Sequence, residues 1–217
     1  GVTPKAEIDE LVAGLAKHPH VALLSDEIYS QMLYGGREHV SLLNYPEIRD
    51  RLILLDGWSK TYAMTGWRLG FAVWPKSLVS EVTRLCINDH SCVNASAQYA
   101  GLAALTGPQD AVAEMREAFD RRRKVAVAEL SKIHGWVAPM PEGAFYVYSD
   151  VTGLLGREWG GKTINTSLEL CDYILDAAEV ALVPGEAFGP SGYVRMGYAL
   201  GDAQLLEGIQ RLQKLFA

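Results

Sequence analysis

Leu52-Ile53-Leu54-Leu55-Asp56-Gly57-Trp58-Ser59-Lys60-Thr61-Tyr62-Ala63-Met64-Thr65-Gly66-Trp67-Arg68-Leu69-Gly70 is the stretch whose reading decides the fold. Residues 52–55 are continuously apolar, with no polar alternation. That is the habit of a strand covered on both faces, as in a parallel sheet flanked by helices. A further strand reads over 69–74. The connection leaves little room for the crossover of about ten or more residues that a parallel return requires, so this strand is expected antiparallel to its predecessor.

Working towards the N-terminus, residues 21–24 repeat the continuous apolar pattern after a break at Pro19, and are expected to form another covered strand. Tyr34-Gly35-Gly36 and Asn44-Tyr45-Pro46 are loop signals between the two runs. Thr3-Pro4 reads as a helix start, followed by Ile8, Leu11, Val12 and Leu15 at helical spacing. Towards the C-terminus, helical patterns cover 77–88, 95–105 and 109–133. The texture then changes to short strands at 144–148, 181–183 and 193–199, with a helix near 166–179. A closing helix carries Leu205, Leu206, Ile209, Leu212 and Leu215 on one face. The fold class is therefore α/β: residues 1–107 as part of a large domain with a mixed, mainly parallel sheet, and 108–217 as a smaller α+β domain.

Bulk properties narrow the function classes. A chain of 217 residues, 49% hydrophobic, can bury a sizeable core. A net charge of −6 argues against nonspecific nucleic-acid binding, which needs basic surface. No apolar run reaches the roughly 18–20 residues of a membrane span, and the first twenty residues hold no signal-like core, so a soluble protein with no membrane partner is expected. The three cysteines, Cys86, Cys92 and Cys171, are odd in number and lack CxxC spacing, which suggests neither a disulfide framework nor a zinc site and suits a reducing cytoplasm. The five histidines show no ligand spacing either, so no metal is expected.

Asp26 and Lys60 each lie a few residues past a strand, at its carboxyl end. In open α/β sheets ligands bind in the crevice beyond those ends, so an acid and a lysine there can converge on one ligand. Taken singly, an Asp after a strand reads as a turn or cap residue, and a Lys after Ser as solvated surface. Together, Asp26-Glu27-Ile28-Tyr29 and the segment from Ser59 to Gly70 resemble the fold-type I pyridoxal-phosphate-dependent aminotransferases of class I/II, the aspartate aminotransferase-like type. The resemblance extends through Pro184-Gly185-Glu186-Ala187-Phe188-Gly189 and Tyr193-Val194-Arg195-Met196-Gly197-Tyr198-Ala199, and so covers nearly the whole chain as the C-terminal portion of such an enzyme.

That resemblance implies roles. Lys60 would be the Schiff-base lysine that carries pyridoxal 5'-phosphate, its amine free to move protons once substrate displaces it. Asp26 would keep the pyridine nitrogen protonated, and Tyr29 would hydrogen-bond the ring hydroxyl oxygen, although it also reads as a half-buried tyrosine at a sheet edge. Ser59 and Arg68 match phosphate contacts, with Gly66 before Trp67 supplying the turn between them. Arg195 matches the arginine that grips the substrate α-carboxylate, where a lone strand arginine otherwise reads as solvated. Phe188 matches a ring near the substrate or packs as an ordinary core ring. The implied activity is transfer of an amino group from an amino acid to a 2-oxo acid, in a homodimer. Carbon-sulfur lyases, aminocyclopropane-carboxylate synthases and non-catalytic cofactor-binding sensor domains of regulators resemble the same scaffold and stay open. No Arg or Lys occurs between Leu85 and Met115, so a second carboxylate-binding arginine is not found there.

A rival is the segment Gly156-Arg157-Glu158-Trp159-Gly160-Gly161-Lys162-Thr163, which fits the letters of a P-loop. Its strand and helix signals stand at the wrong offsets, because the helix start Thr166-Ser167-Leu168-Glu169 comes after the lysine rather than at it. The chain opens on Gly1 with no initiator methionine, and the family's remaining cofactor contacts have no matching motif here. The expectation is a longer polypeptide, or a second chain that supplies them.

Overall fold

Helix α1, Lys5–Leu15, is the first element of a computed structural model that describes residues 1–217. Its Ile8 and Val12 are buried against Ile48 and Leu52, with Leu23, Val40, Leu42, Leu43 and Tyr45 around them. Leu11 points away and is 52% exposed, so the buried stripe is narrower than the apolar spacing suggested. Strands β1, Leu23–Asp26, and β2, Leu52–Gly57, pair in parallel with Leu23 opposite Leu52 and Asp26 opposite Leu55. After the one-turn helix α2, Trp58–Thr61, strand β3, Gly70–Val73, returns antiparallel on the far side of β2. The short connection has enforced the expected reversal, and the sheet is mixed.

Gly57 and Gly70 face each other across that reversal. Gly57 is fully extended, and its requirement is space: a Cβ there would lie 2.9 Å from the Leu69 carbonyl oxygen. The strand expected over 21–24 forms at Leu23–Asp26. β1 and β3 are the outer strands, and Leu24, Phe71 and Val73 are exposed, whereas Leu52 and Leu54 of the central β2 are buried. Helices α3, Val79–Asp89, α4, Ala95–Thr106, and α5, Asp110–Leu130, follow. The start of α3 is displaced from 77 because residues after Pro75 first form a 3-10 turn, Lys76–Leu78.

The chain divides into two compact units, Gly1–Glu114 and Met115–Ala217. In the second, β4, Tyr146–Asp150, is followed by a hairpin of β5, Arg157–Trp159, and β6, Lys162–Ile164. Then come α6, Ser167–Ala178, the short β7, Val183–Pro184, β8, Tyr193–Gly197, and α7, Asp202–Leu215. The sheet order is β4-β8-β7, antiparallel throughout. Val147 and Ser149 of β4 and Val194 and Met196 of β8 are buried on one face. Tyr146, Tyr148, Tyr193 and Arg195 alternate with them on the other, half-buried. β4 begins after the expected residue 144 because Ala144 is left-handed, at φ 57°.

α6 begins with a capping box, Thr166 and Glu169 each satisfying the other's backbone amide. α7 buries Leu205, Ile209 and Leu212, while Leu206 lies off that stripe and is 38% exposed. The basic run of α5 is tied down locally: Arg121 and Arg122 pair with Asp202, and Arg123 with Asp120 and the Pro141 carbonyl. The P-loop-like letters form the β5–β6 hairpin, with Gly160 and Gly161 left-handed at its tip. No helix is long and apolar enough to cross a membrane, and no cluster of three or more His, Cys, Asp or Glu is placed to hold a metal ion.

Candidate active site

Asp26 is the last residue of β1, and Lys60 lies on the turn of helix that leaves β2. Because β1 and β2 are parallel neighbours, both residues stand at the carboxyl end of the same strand pair. Asp26 is exposed, and its Oδ1 accepts the Ile28 amide at 3.2 Å. No protein group donates to its Oδ2. Tyr29 follows in the turn and is half-buried, its carbonyl accepting the Met32 amide at 2.9 Å.

What fixes this end of β1 is the residue beside Asp26. Glu27 is 6% exposed and carries a full set of partners: its Oε2 meets His39 Nε2 at 2.6 Å, and its Oε1 accepts Ser25 Oγ and the Leu42 amide, each at 3.1 Å. One carboxylate thus clamps the strand end to the loop that returns to β2. Nearby, burial raises the Asp56 carboxyl above its usual range. The Gly57 amide opposes this, Glu27 and Asp26 add to the rise, and His39 counteracts it. Removing one partner of a buried, hydrogen-bonded charge leaves the others unsatisfied. Glu27→Ala is therefore expected to cost about 2 kcal/mol, reduced from the fully buried case because His39 keeps contact with water. The corresponding drop in Tm is about 4–8 °C by calorimetry; a drop below about 1 °C would show that the clamp carries no load.

Ser59 and Lys60 are half-buried on α2, whose orientation is set by Trp58. The Trp58 indole Nε1 donates to the Gly101 carbonyl on α4 at 2.9 Å, and its ring meets Phe71 edge-on at 5.6 Å. Gly101 has no room for a side chain, since a Cβ would lie 2.4 Å from Leu69 and 3.2 Å from the Trp58 ring. Beyond the lysine, Gly66 is the middle residue of a 3-10 turn, Thr65–Trp67, as expected, while the left-handed steps beside it belong to Ala63 at φ 52° and Arg68 at φ 53°. Non-glycine residues in that region are strained by about 1–3 kcal/mol, and such strain collects at functional sites. Arg68 is exposed and donates to the Thr65 carbonyl at 2.9 Å, which leaves most of its fork open.

Arg195 lies in the second unit, on β8, opposite Val183 and Tyr148 in the sheet register. It is half-buried, and its guanidinium makes neither a hydrogen bond nor an ion pair with the protein. Its guanidinium carbon lies 4.5 Å from the centroid of the Tyr146 ring and 4.4 Å from that of Phe188.

Comparisons with known proteins show the family. The model of the family described as aminotransferase class I and II matches residues 1–212. The chain belongs to the class I and II aminotransferases. It is 52% identical over 196 residues to an aspartate aminotransferase of Streptomyces avermitilis, covering 90% of this chain and 48% of that protein. The crystal structure of an aspartate aminotransferase from Rhizobium meliloti superposes with a TM-score of 0.94 at 39% identity, over 98% of this chain and 54% of the other. An aromatic aminotransferase from Pyrococcus horikoshii gives a TM-score of 0.89 at 33% identity, over 99% and 56%. This aminotransferase chain spans about half the length of the curated relatives it matches.

Lys60, Asp26, Ser59 and Arg68 were visible in the sequence, and the first unit gathers them around one sheet end. Trp58, Gly101, Glu27 and His39 were not singled out. The buried Glu27 follows Asp26 directly, and its acidic side chain beside a strand end was the one available signal.

Proposed function

We propose that the protein containing this chain transfers an amino group between an amino acid and a 2-oxo acid with pyridoxal 5'-phosphate, residues 1–107 belonging to its cofactor-binding large domain and 108–217 to its small domain. The observation that carries this is the placement of Lys60 and Asp26 at the carboxyl ends of two adjacent parallel strands, with the strained Arg68 closing the same segment. The donor set fits the cofactor group by group. There is an amine for an aldehyde, a carboxylate oxygen without a protein donor for a ring nitrogen, a phenol for a ring hydroxyl, and a hydroxyl plus an open guanidinium fork for a phosphate. The cofactor, when bound, supplies an aldehyde and an electron-accepting ring.

In this reading Lys60 holds the cofactor covalently through its amine and, once released, carries the proton between the substrate α-carbon and the cofactor. Asp26 keeps a proton on the ring nitrogen, and Tyr29 donates to the ring hydroxyl oxygen. Ser59 and Arg68 orient the phosphate, and Arg195 pairs with the substrate α-carboxylate. A homodimer in a reducing, cytoplasmic setting fits a chain with three free cysteines. The names of its relatives make L-aspartate the first amino donor to try. The test is a panel of amino acids with 2-oxoglutarate as acceptor, read by the absorbance of bound cofactor and by the 2-oxo acid formed. If the cofactor-loaded protein shows neither a spectral change nor product with any amino acid, the transaminase reading fails.

A further inference from the structure

The guanidinium of Arg195 is held by rings rather than by acids. Nothing in the protein accepts a hydrogen bond from it, although it is half-buried, and its Cζ lies over two aromatic rings from different segments. Tyr146 reaches it diagonally across the sheet, the residue opposite Tyr146 in the register being Gly197. Phe188 arrives from the turn Gly185–Phe188 and is 50% exposed, which is unusual for a ring whose purpose is core packing. Its ring meets the Arg195 guanidinium and, edge-on at 6.1 Å, the Tyr148 ring.

The turn that presents Phe188 is itself fixed. Glu186 Oε1 accepts the amide of Ser167, the first residue of α6, at 3.0 Å, and the Ser191 hydroxyl at 2.7 Å. Gly185 leaves no space for drift, since a Cβ there would lie 2.3 Å from the Pro190 carbonyl oxygen.

A guanidinium is planar, with its five N–H donors in the plane and its faces free to stack. Rings that take the faces restrict rotation about the side chain's last bonds and leave the donor edge pointing outward. An acidic partner would instead occupy that edge and compete with a ligand. We infer that Phe188 and Tyr146 are positioning residues that flank the Arg195 guanidinium and pre-orient its donor edge for a substrate carboxylate. This rests on the transaminase reading for the identity of the ligand, and goes beyond it in assigning the two rings a role in carboxylate affinity.

The experiment uses the cofactor-loaded protein and four variants: Phe188→Leu and Tyr146→Leu, which remove a ring and keep apolar bulk, and Phe188→Tyr and Tyr146→Phe, which keep the ring. Steady-state kinetics give KM and kcat for the best amino donor. Calorimetric titration with 3-phenylpropionate, a carboxylate with no amino group, reads the same subsite without turnover. Each leucine variant is expected to raise KM and the dissociation constant about tenfold, equivalent to ~1.4 kcal/mol. Values of kcat should stay within about twofold, as befits binding shared by ground and transition states. The ring-keeping variants should restore wild-type values. Leucine variants that bind 3-phenylpropionate as tightly as wild type overturn the proposal, as does a fall in Tm and kcat that the ring-keeping variants share, which would mark simple packing. Because the titration needs no turnover, a protein that transaminates nothing yet shows the tenfold loss refutes the transaminase reading and leaves the ring assignment standing. A wild-type protein that does not bind 3-phenylpropionate overturns the assignment itself.

Discussion

Lys60→Ala is expected to lower the transamination rate on the order of 10⁴-fold, the upper end of what one positioned acid–base group contributes. In the proposed role two functions fall on the same amine: it would be the nucleophile that attaches the cofactor, and the base that moves the substrate proton. Lys60→Arg should be as inactive as Lys60→Ala, because a guanidinium stays protonated and has no free amine to offer. The charge is then kept and the chemistry lost, which separates this role from an electrostatic one. The fold should be indifferent to either change, since Lys60 sits half-buried on a single helical turn whose position is set by Trp58 and Gly101. Borohydride reduction of the cofactor-loaded protein, followed by peptide mapping, should put the label on the Lys60 peptide alone. A label on another lysine, or a Lys60→Ala variant that keeps more than about a tenth of the rate, would remove Lys60 from the site.

The lysine segment was readable because two local constraints agree in it. An apolar run without alternation marks a covered central strand, and a connection too short for a crossover forces the next strand antiparallel; both features survive in β2 and β3. The same pattern located β1, which pairs in parallel with β2. Four apolar letters cannot tell a central strand from an outer one, and Leu24 is exposed in this chain, which spans about half the length of its relatives. The second unit was harder. Ala144 looks like strand by composition, yet adopts a left-handed conformation that delays β4, and the β5–β6 hairpin was hidden under letters that resemble a phosphate loop. The turn at Gly66 was readable from the usual preference for glycine, whereas the left-handed positions on either side of it, Ala63 and Arg68, were not. Strain of that kind is imposed by surrounding packing and has no compositional mark. Several contacts around these residues link positions well separated in sequence: Glu27 to His39 across a loop, Trp58 to Gly101 on α4, and Tyr146 to Arg195. Periodicity reports which face a residue occupies and is silent about which distant residue meets it.

Asp26→Asn is expected to lower the rate by about 10²–10³-fold, the usual consequence of removing a charge fixed in advance where charge changes during reaction. The substitution keeps the shape and the acceptor for the Ile28 amide, so the turn after β1 should persist. It removes the negative charge that favours a proton on the ring nitrogen. Without that proton the ring accepts the electron pair from the substrate α-carbon less readily. Asp26 is suited to the task because one oxygen is engaged by backbone and the other has no protein donor, and because its strand end is anchored through Glu27 rather than through its own carboxylate. Glu27→Gln is the matched control. It neutralises the neighbouring carboxylate, which faces His39 and the loop, and should change stability more than rate. Stopped-flow measurement of the amino-acid half-reaction separates the two, since it reads the proton-transfer step apart from cofactor retention. Equal rate losses in Asp26→Asn and Glu27→Gln would mean that general acidity at this sheet end matters and that Asp26 has no particular partner. A loss confined to Asp26→Asn, at unchanged Tm, places the ring nitrogen against that one carboxylate.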